Sequence, residues 1–144
     1  MKMENSYVKN LLLGFTIIFL FTANLFEQDI NQLIETADKY YNEFNNEKEL
    51  ETLQKAEKID TNNWDVVWRL SRVYVDIGEK MPNSTSEQED AQIATYQKSL
   101  EYADKAVKLA PDKSTSYLRR AISNGRIALF KGVFSVAAVY PRGL

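Results

Sequence analysis

Two stretches of the chain close in the same way, 50 residues apart. Leu53, Ala56, Ile59, Asp60 and Thr61 are echoed by Ala103, Ala106, Leu109, Ala110 and Pro111. Each stretch is followed by polar residues and then by a new helical pattern with aromatic residues near its start, Trp64 and Trp68 in one case and Tyr117 in the other. Apolar and small residues at three- and four-residue spacing form one face of a helix. A face that recurs along the chain belongs to helix pairs that bury their apolar sides by stacking on their neighbours. The expected fold is all-α, with antiparallel helix pairs wound into a right-handed superhelix. Helices are expected near 30–45, 47–59, 63–77, 87–109 and 114–131.

The units divide the chain after its first segment. In unit 30–63, Leu33, Ala37 and Tyr40 hold the large, small and aromatic positions of a first helix, and Leu53 and Ala56 face them from the second. Thr36 and Glu49 depart from the pattern, and Thr61 stands where a closing Pro is usual. In unit 64–111 the first helix repeats the spacing through Val67, Leu70, Ser71 and Tyr74. Gly78 is expected to end that helix, with a surface loop over 79–86. A 16-residue insertion then displaces the small position of the second helix to Ala106. Ser86 and Glu89 have the spacing of a capping box. The helix they open is expected to overhang its partner by about two turns, so that Ile93 and Tyr96 need a partner outside the pair. The last unit, 114–144, is partial. Tyr117 and Ala121 keep the pattern, Arg120 and Asn124 depart from it, and no second helix is expected to follow. Ile127 to Tyr140 is too apolar for one preceding pair to bury, and is expected to be exposed and to drive self-association.

This spacing resembles the tetratricopeptide repeat from Ile30 to about Ala128. The resemblance implies a concave surface, lined by the first helix of each pair, on which a partner is held. The long second helix followed by Tyr117 to Arg126 is also similar to the divergent repeats of the regulator of microtubule dynamics family and its bacterial relatives, helical-repeat adaptors. The fold carries over from that resemblance. A microtubule role does not, for an exported bacterial chain.

Composition narrows the chemistry. The 144 residues contain neither Cys nor His, which removes disulfides, thiolate metal sites and the commonest general base. No catalytic constellation, cofactor loop or metal site is expected, and no nucleic-acid module is present. Charge is unevenly placed. Residues 24–112 carry ten basic and nineteen acidic groups, whereas Lys113, Arg119, Arg120, Arg126, Lys131 and Arg142 follow Asp112 without any acid. Such a basic end either steers an anionic partner or is balanced by an acidic neighbour.

Lys2 and Lys9 precede an uncharged run of 13 residues, Leu11 to Ala23. Residues 1–26 therefore read as a signal peptide or a retained membrane anchor, with residues 7–26 as the membrane-associating stretch. Either reading exports residues 27–144 in a bacterial cell, to the periplasm or beyond if the segment is cleaved. Glu87 to Asp90 is an acidic cluster without the Gly-containing loop of a calcium site, and reads as the first turn of a helix.

Seven residues are expected on the concave face: Asp38, Tyr41, Trp68, Arg72 and Arg126 by spacing, and Arg69 and Arg119 in equivalent places one step round the helix. Arginine grips carboxylates in bidentate fashion, and aromatic residues beside it are enriched in binding hot spots. The competing reading buries Trp68 and pairs the arginines with nearby acids. The expected function is a non-catalytic scaffold or adaptor that holds a protein or peptide. The alternative is a membrane-tethered structural subunit of an envelope complex.

Overall fold

The computed structural model describes residues 29–131, and among these it contains helices and no strand. Five helices follow one another: α1 over 29–42, α2 Asn46–Ile59, α3 Trp64–Lys80, α4 Ser86–Leu109 and α5 Ser114–Lys131. Connections of three to five residues make consecutive helices antiparallel neighbours. The arrangement of packed helix pairs is that of a helical-repeat-like fold. No described helix is long and apolar enough to cross a membrane. The N-terminal apolar run and residues 132–144, with most of the stretch expected to self-associate, lie outside the described residues.

Each start has a local cause. Asn45, Asn63 and Thr85 cap α2, α3 and α4 by accepting a bond from the backbone N–H three residues on. The cap of α4 is Thr85, one residue before the expected Ser86. Gln88 supplies the reciprocal contact, its Oε1 accepting from the Ser84 N–H at 2.9 Å. The acids Glu87 and Glu89 fall in the first turn of α4, where the helix dipole favours them.

The core forms where small and large residues meet. Ala37, Leu53, Ala56, Val66, Leu70 and Val73 are buried in one cluster that joins α1 and α2 to α3. Ala37 thus packs in the cluster of Leu53 and Ala56, as its spacing requires. Leu53 and Leu70 are fully buried, each worth roughly 1.5–3 kcal/mol. Where α3, α4 and α5 cross, three buried serines take the place of larger residues. Ser99 Oγ lies 3.1 Å from Ser71 Oγ and 2.7 Å from Ser123 Oγ, and it donates to the Ser71 carbonyl at 2.7 Å. Ser71 therefore meets α4 one turn before Ala103. At the other end of the crossing, the Trp64 indole donates to Ser116 Oγ at 2.9 Å, tying the start of α3 to α5.

Gly78 does not end α3, which continues to Lys80. Its role is steric. A Cβ at Gly78 would stand 2.5 Å from the Tyr96 ring. That ring is buried, bonded by Gln92 and packed beside Phe130. The Gln92 side chain also donates to the Gly78 carbonyl at 2.6 Å. The insertion loop is shorter than expected because Glu79 and Lys80 extend α3 and Ser86 opens α4, which has 24 residues against 17 in α3. Tyr96 finds its outside partner in α5, where Ile127 is buried with it and Phe130 packs against it. In the described part of the stretch expected to be exposed, Ile127 is thus buried and Phe130 half-buried, while Leu129 is 74% exposed. One α5 face is enough to hold Ile127 and Phe130 because the overhang of α4 reaches it.

The two helical glycines give opposite expectations. Gly78→Ala should lower stability by about 1–2 kcal/mol, because overpacking against a held ring outweighs the better helix propensity of Ala. Gly125 has open space around it, so Gly125→Ala should raise stability by roughly 0.5–1 kcal/mol. Urea denaturation of both variants checks the pair.

Candidate functional site

The first helices of the successive pairs, α1, α3 and α5, contribute to one face, with α3 touching both α2 and α5. Arg69 and Arg72 lie three residues apart on α3 and so point the same way. Arg69 grips Asp38 of α1 with two parallel bonds, Nε to Oδ1 at 2.9 Å and Nη2 to Oδ2 at 2.8 Å. Its remaining nitrogen donates to the Asp65 carboxylate and carbonyl, both at 2.9 Å. Arg72 donates to Asp38 at 3.1 Å and to Glu49 of α2 at 2.8 Å. Two aromatic rings accompany the guanidinium groups. Arg72 lies 3.7 Å from the Tyr41 ring centroid, and Arg69 lies 4.3 Å from that of Trp68.

Arg126 sits farther along, paired with Glu79. Arg119 differs from the other three. It makes no ion pair among the described residues, and its buried Nε has no partner. Burial pulls its pKa down, and the neighbouring Arg72 cation pulls the same way, while Asp76 opposes them. It nevertheless remains charged at any physiological pH.

Five of the seven residues expected on this face, Asp38, Tyr41, Trp68, Arg69 and Arg72, come together in one network, with Arg119 close enough to Arg72 to feel its charge. Arg126 stands apart on its own ion pair. The pairing of arginines with acids is thus real for Arg69, Arg72 and Arg126. Trp68 is half-buried, its indole donating to Asp65 at 3.3 Å.

Spacing alone missed Glu49 as a member of this network, whereas Asp65 and Asp76 are acids that the competing reading sets against the arginines. Glu49 is fully buried, with one carboxylate oxygen unpartnered. Its signal was present: an acid one turn before Leu53, on the apolar side of α2, requires a cation opposite. Asp76 lies one turn beyond Arg72 on α3. Burial raises its pKa, and Arg72 and Arg119 only partly offset that. Among the described residues no group of three or more acidic side chains is arranged to hold a metal ion.

Residues 33–135 match the family model of the regulator of microtubule dynamics protein 1-3. The chain belongs to this family. The matched span contains every residue of the face just described, so the Arg–Asp–Glu network lies wholly within the family's domain. Comparison with curated proteins gave no match.

The carboxylates of this family member titrate in opposite senses. Burial pushes Asp38 up, but the bonds and charges of Arg69 and Arg72 outweigh it and hold its pKa below the usual range. Asp38 therefore stabilises the fold at neutral pH, and that contribution is lost as pH falls through its lowered folded pKa. For Glu49 burial prevails over Arg72, and its pKa is raised. Its ionisation therefore costs stability as pH rises through the raised value. Asp38→Asn should destabilise the protein by about 1–2 kcal/mol at pH 7, a figure moderated by the carboxylate's partial exposure. The deficit should shrink toward zero as pH falls below the ordinary Asp range. Denaturant midpoints of both proteins, followed from pH 7 to acid, check the sign.

Proposed function

We propose that the chain is a non-catalytic scaffold that holds a protein or peptide partner on the face formed by α1, α3 and α5. The observation that carries this is Arg119. Arg69, Arg72 and Arg126 are neutralised by acids of the chain itself, whereas Arg119 leaves a buried donor unsatisfied beside a second cation. A cation held in this way favours an incoming carboxylate, which would pair with the guanidinium and relieve the repulsion from Arg72. Tyr41 and Trp68, stiffened by the guanidinium groups against them, give the partner flat apolar surface at low entropic cost. On this reading Arg69 and Arg72 build the face, and Arg119 engages the partner.

The helix pairs are proposed to be of the tetratricopeptide class, since Ala37, Ser71 and the facing Ala56 and Ser99 hold the close-crossing positions that such pairs use. Export through the N-terminal apolar run belongs to the same proposal and rests on Lys2, Lys9 and the run from Leu11 to Ala23. The family's name points to microtubules; for this chain the reading rests on the face that carries Arg119, whatever supplies the acid.

A photoreactive residue placed at Tyr41 in the full chain should crosslink a partner in its native cells, and one placed at Lys55 on the exposed side of α2 should not. Arg119→Gln should weaken the crosslinked complex by about 10-fold or more, the loss of a charge-assisted bond. Equal crosslinking from both positions, or full binding by Arg119→Gln, counts against the proposal.

A further inference from the structure

The turn between α1 and α2 presents an aromatic side chain at a place where the backbone disfavours one. Phe44 has φ 56°, the only non-glycine residue with positive φ among those described. The reason lies in the end of α1. The Phe44 N–H bonds to the Tyr41 carbonyl at 3.0 Å, and the Asn45 N–H reaches back to Tyr40 at 2.9 Å. This pair of bonds needs a left-handed residue between the helix and its cap, a position glycine usually fills. A bulky side chain there is strained. Burial does not offset the strain, because Phe44 is 81% exposed. Lys80 reinforces the turn by donating to the Phe44 carbonyl at 3.0 Å.

The ring stands between two clefts. One, of about 540 Å³, has Ile77, Met81 and Pro82 on its apolar wall. The other, of about 210 Å³, runs toward Tyr41 and Asp76. Their combined rim carries Glu43, Glu47, Asp76 and Glu79. Lys80, bonded to the turn, lines both clefts; Arg126 is paired with Glu79, and Arg72 and Arg119 act on Asp76, which leaves Glu43 and Glu47 as the acids without an ion pair among the described residues. The mouth is therefore apolar within and negative at its edge.

We propose that Phe44 and these clefts form a second docking point, for a partner segment with a large apolar side chain flanked by Lys or Arg. The charge of the rim selects the basic flank. The strained, exposed ring gives the apolar side chain a preformed surface, a position at which strain is retained for contact rather than for folding. This site adjoins the face that carries Arg119, sharing Tyr41 and Asp76 with its edge, but Arg119 lines neither cleft.

The test uses the full chain and a fluorescein-labelled peptide, Lys-Lys-Leu-Leu-Lys-Lys, with a glutamate-flanked peptide of the same core as control. Fluorescence anisotropy at low salt should show binding of the lysine peptide at least 10-fold tighter than of the control. Phe44→Gly should weaken the lysine peptide at least 5-fold, while its melting temperature stays level or rises by up to about 5 °C, since glycine relieves the left-handed strain. Phe44→Ala should weaken binding equally. Arg119→Gln should leave it within two-fold, which separates this site from the other face. Equal binding of both peptides, or undiminished binding by Phe44→Gly, overturns the proposal. So does a fall in melting temperature for Phe44→Gly, which would show that the ring serves folding.

Discussion

Arg72 is the point on which the arrangement turns. It is buried on α3, bonded to Glu49 of α2 and to Asp38 of α1, and stacked on Tyr41. Taking ions out of water costs several kcal/mol each, so each member requires the others in place. The energy of folding comes from the apolar cluster around Leu53, Leu70 and Val73. What the ionic group contributes is register: the first pair meets α3 only where Asp38 and Glu49 both reach the same guanidinium. Arg69 repeats the link to Asp38 nearer the surface, with geometry that one carboxylate can satisfy.

The far side of α3 uses a different device. Ser71, Ser99 and Ser123 allow three helices to cross closely, and their hydroxyls bond to one another and to backbone carbonyls instead of leaving buried polar groups open. Gly78 continues the same logic by leaving room for Tyr96. That ring carries the contact from α3 across α4 to Ile127 and Phe130 of α5. Tyr74 and Tyr102 stack at 5.6 Å on this crossing, and the Tyr102 hydroxyl donates to Glu57 of α2 at 3.1 Å. Burial and the Glu57 charge push the Tyr102 pKa up, so it stays a donor throughout the working range. Central α3 is thus fixed by ions on one side and by close packing on the other, and the face carrying Arg119 inherits that rigidity.

Much of this was legible in the residues. The Ala37 and Leu53–Ala56 spacing gave the first pair, and the displaced Ala106 gave the long α4. The bounds of α2 and α4 and the start of α5 fell within a residue or so of expectation, because Asn, Thr and Ser at the starts act locally. Gly78 was misleading: a glycine near a helix end has the same local signature whether it caps the helix or admits a neighbour, and only the position of Tyr96 distinguishes the two. The network was half legible. Spacing put Asp38, Arg69 and Arg72 on one face, but whether an arginine meets a chain acid or a partner depends on the opposing helix. Glu49 was visible as a break in the apolar pattern, and the cation it demanded was the information needed to assign Arg72. Phe44 could not be found by periodicity, since its meaning lies in one backbone angle.

The coupling between Glu49 and Arg72 is the most direct measurement of this dependence. A double-mutant cycle with Glu49→Gln and Arg72→Met, followed by urea denaturation at pH 7, isolates it. Arg72→Met should lose roughly 3–5 kcal/mol, because it strands the buried Glu49 carboxylate; Glu49→Gln should lose about 1–2 kcal/mol, because Arg72 keeps Asp38 and the amide spares the cost of a buried charge. The double variant should lose much less than their sum, giving a coupling energy of about 2 kcal/mol or more. Additive losses would contradict the claim that this buried pair sets the register of the first helix pair on α3.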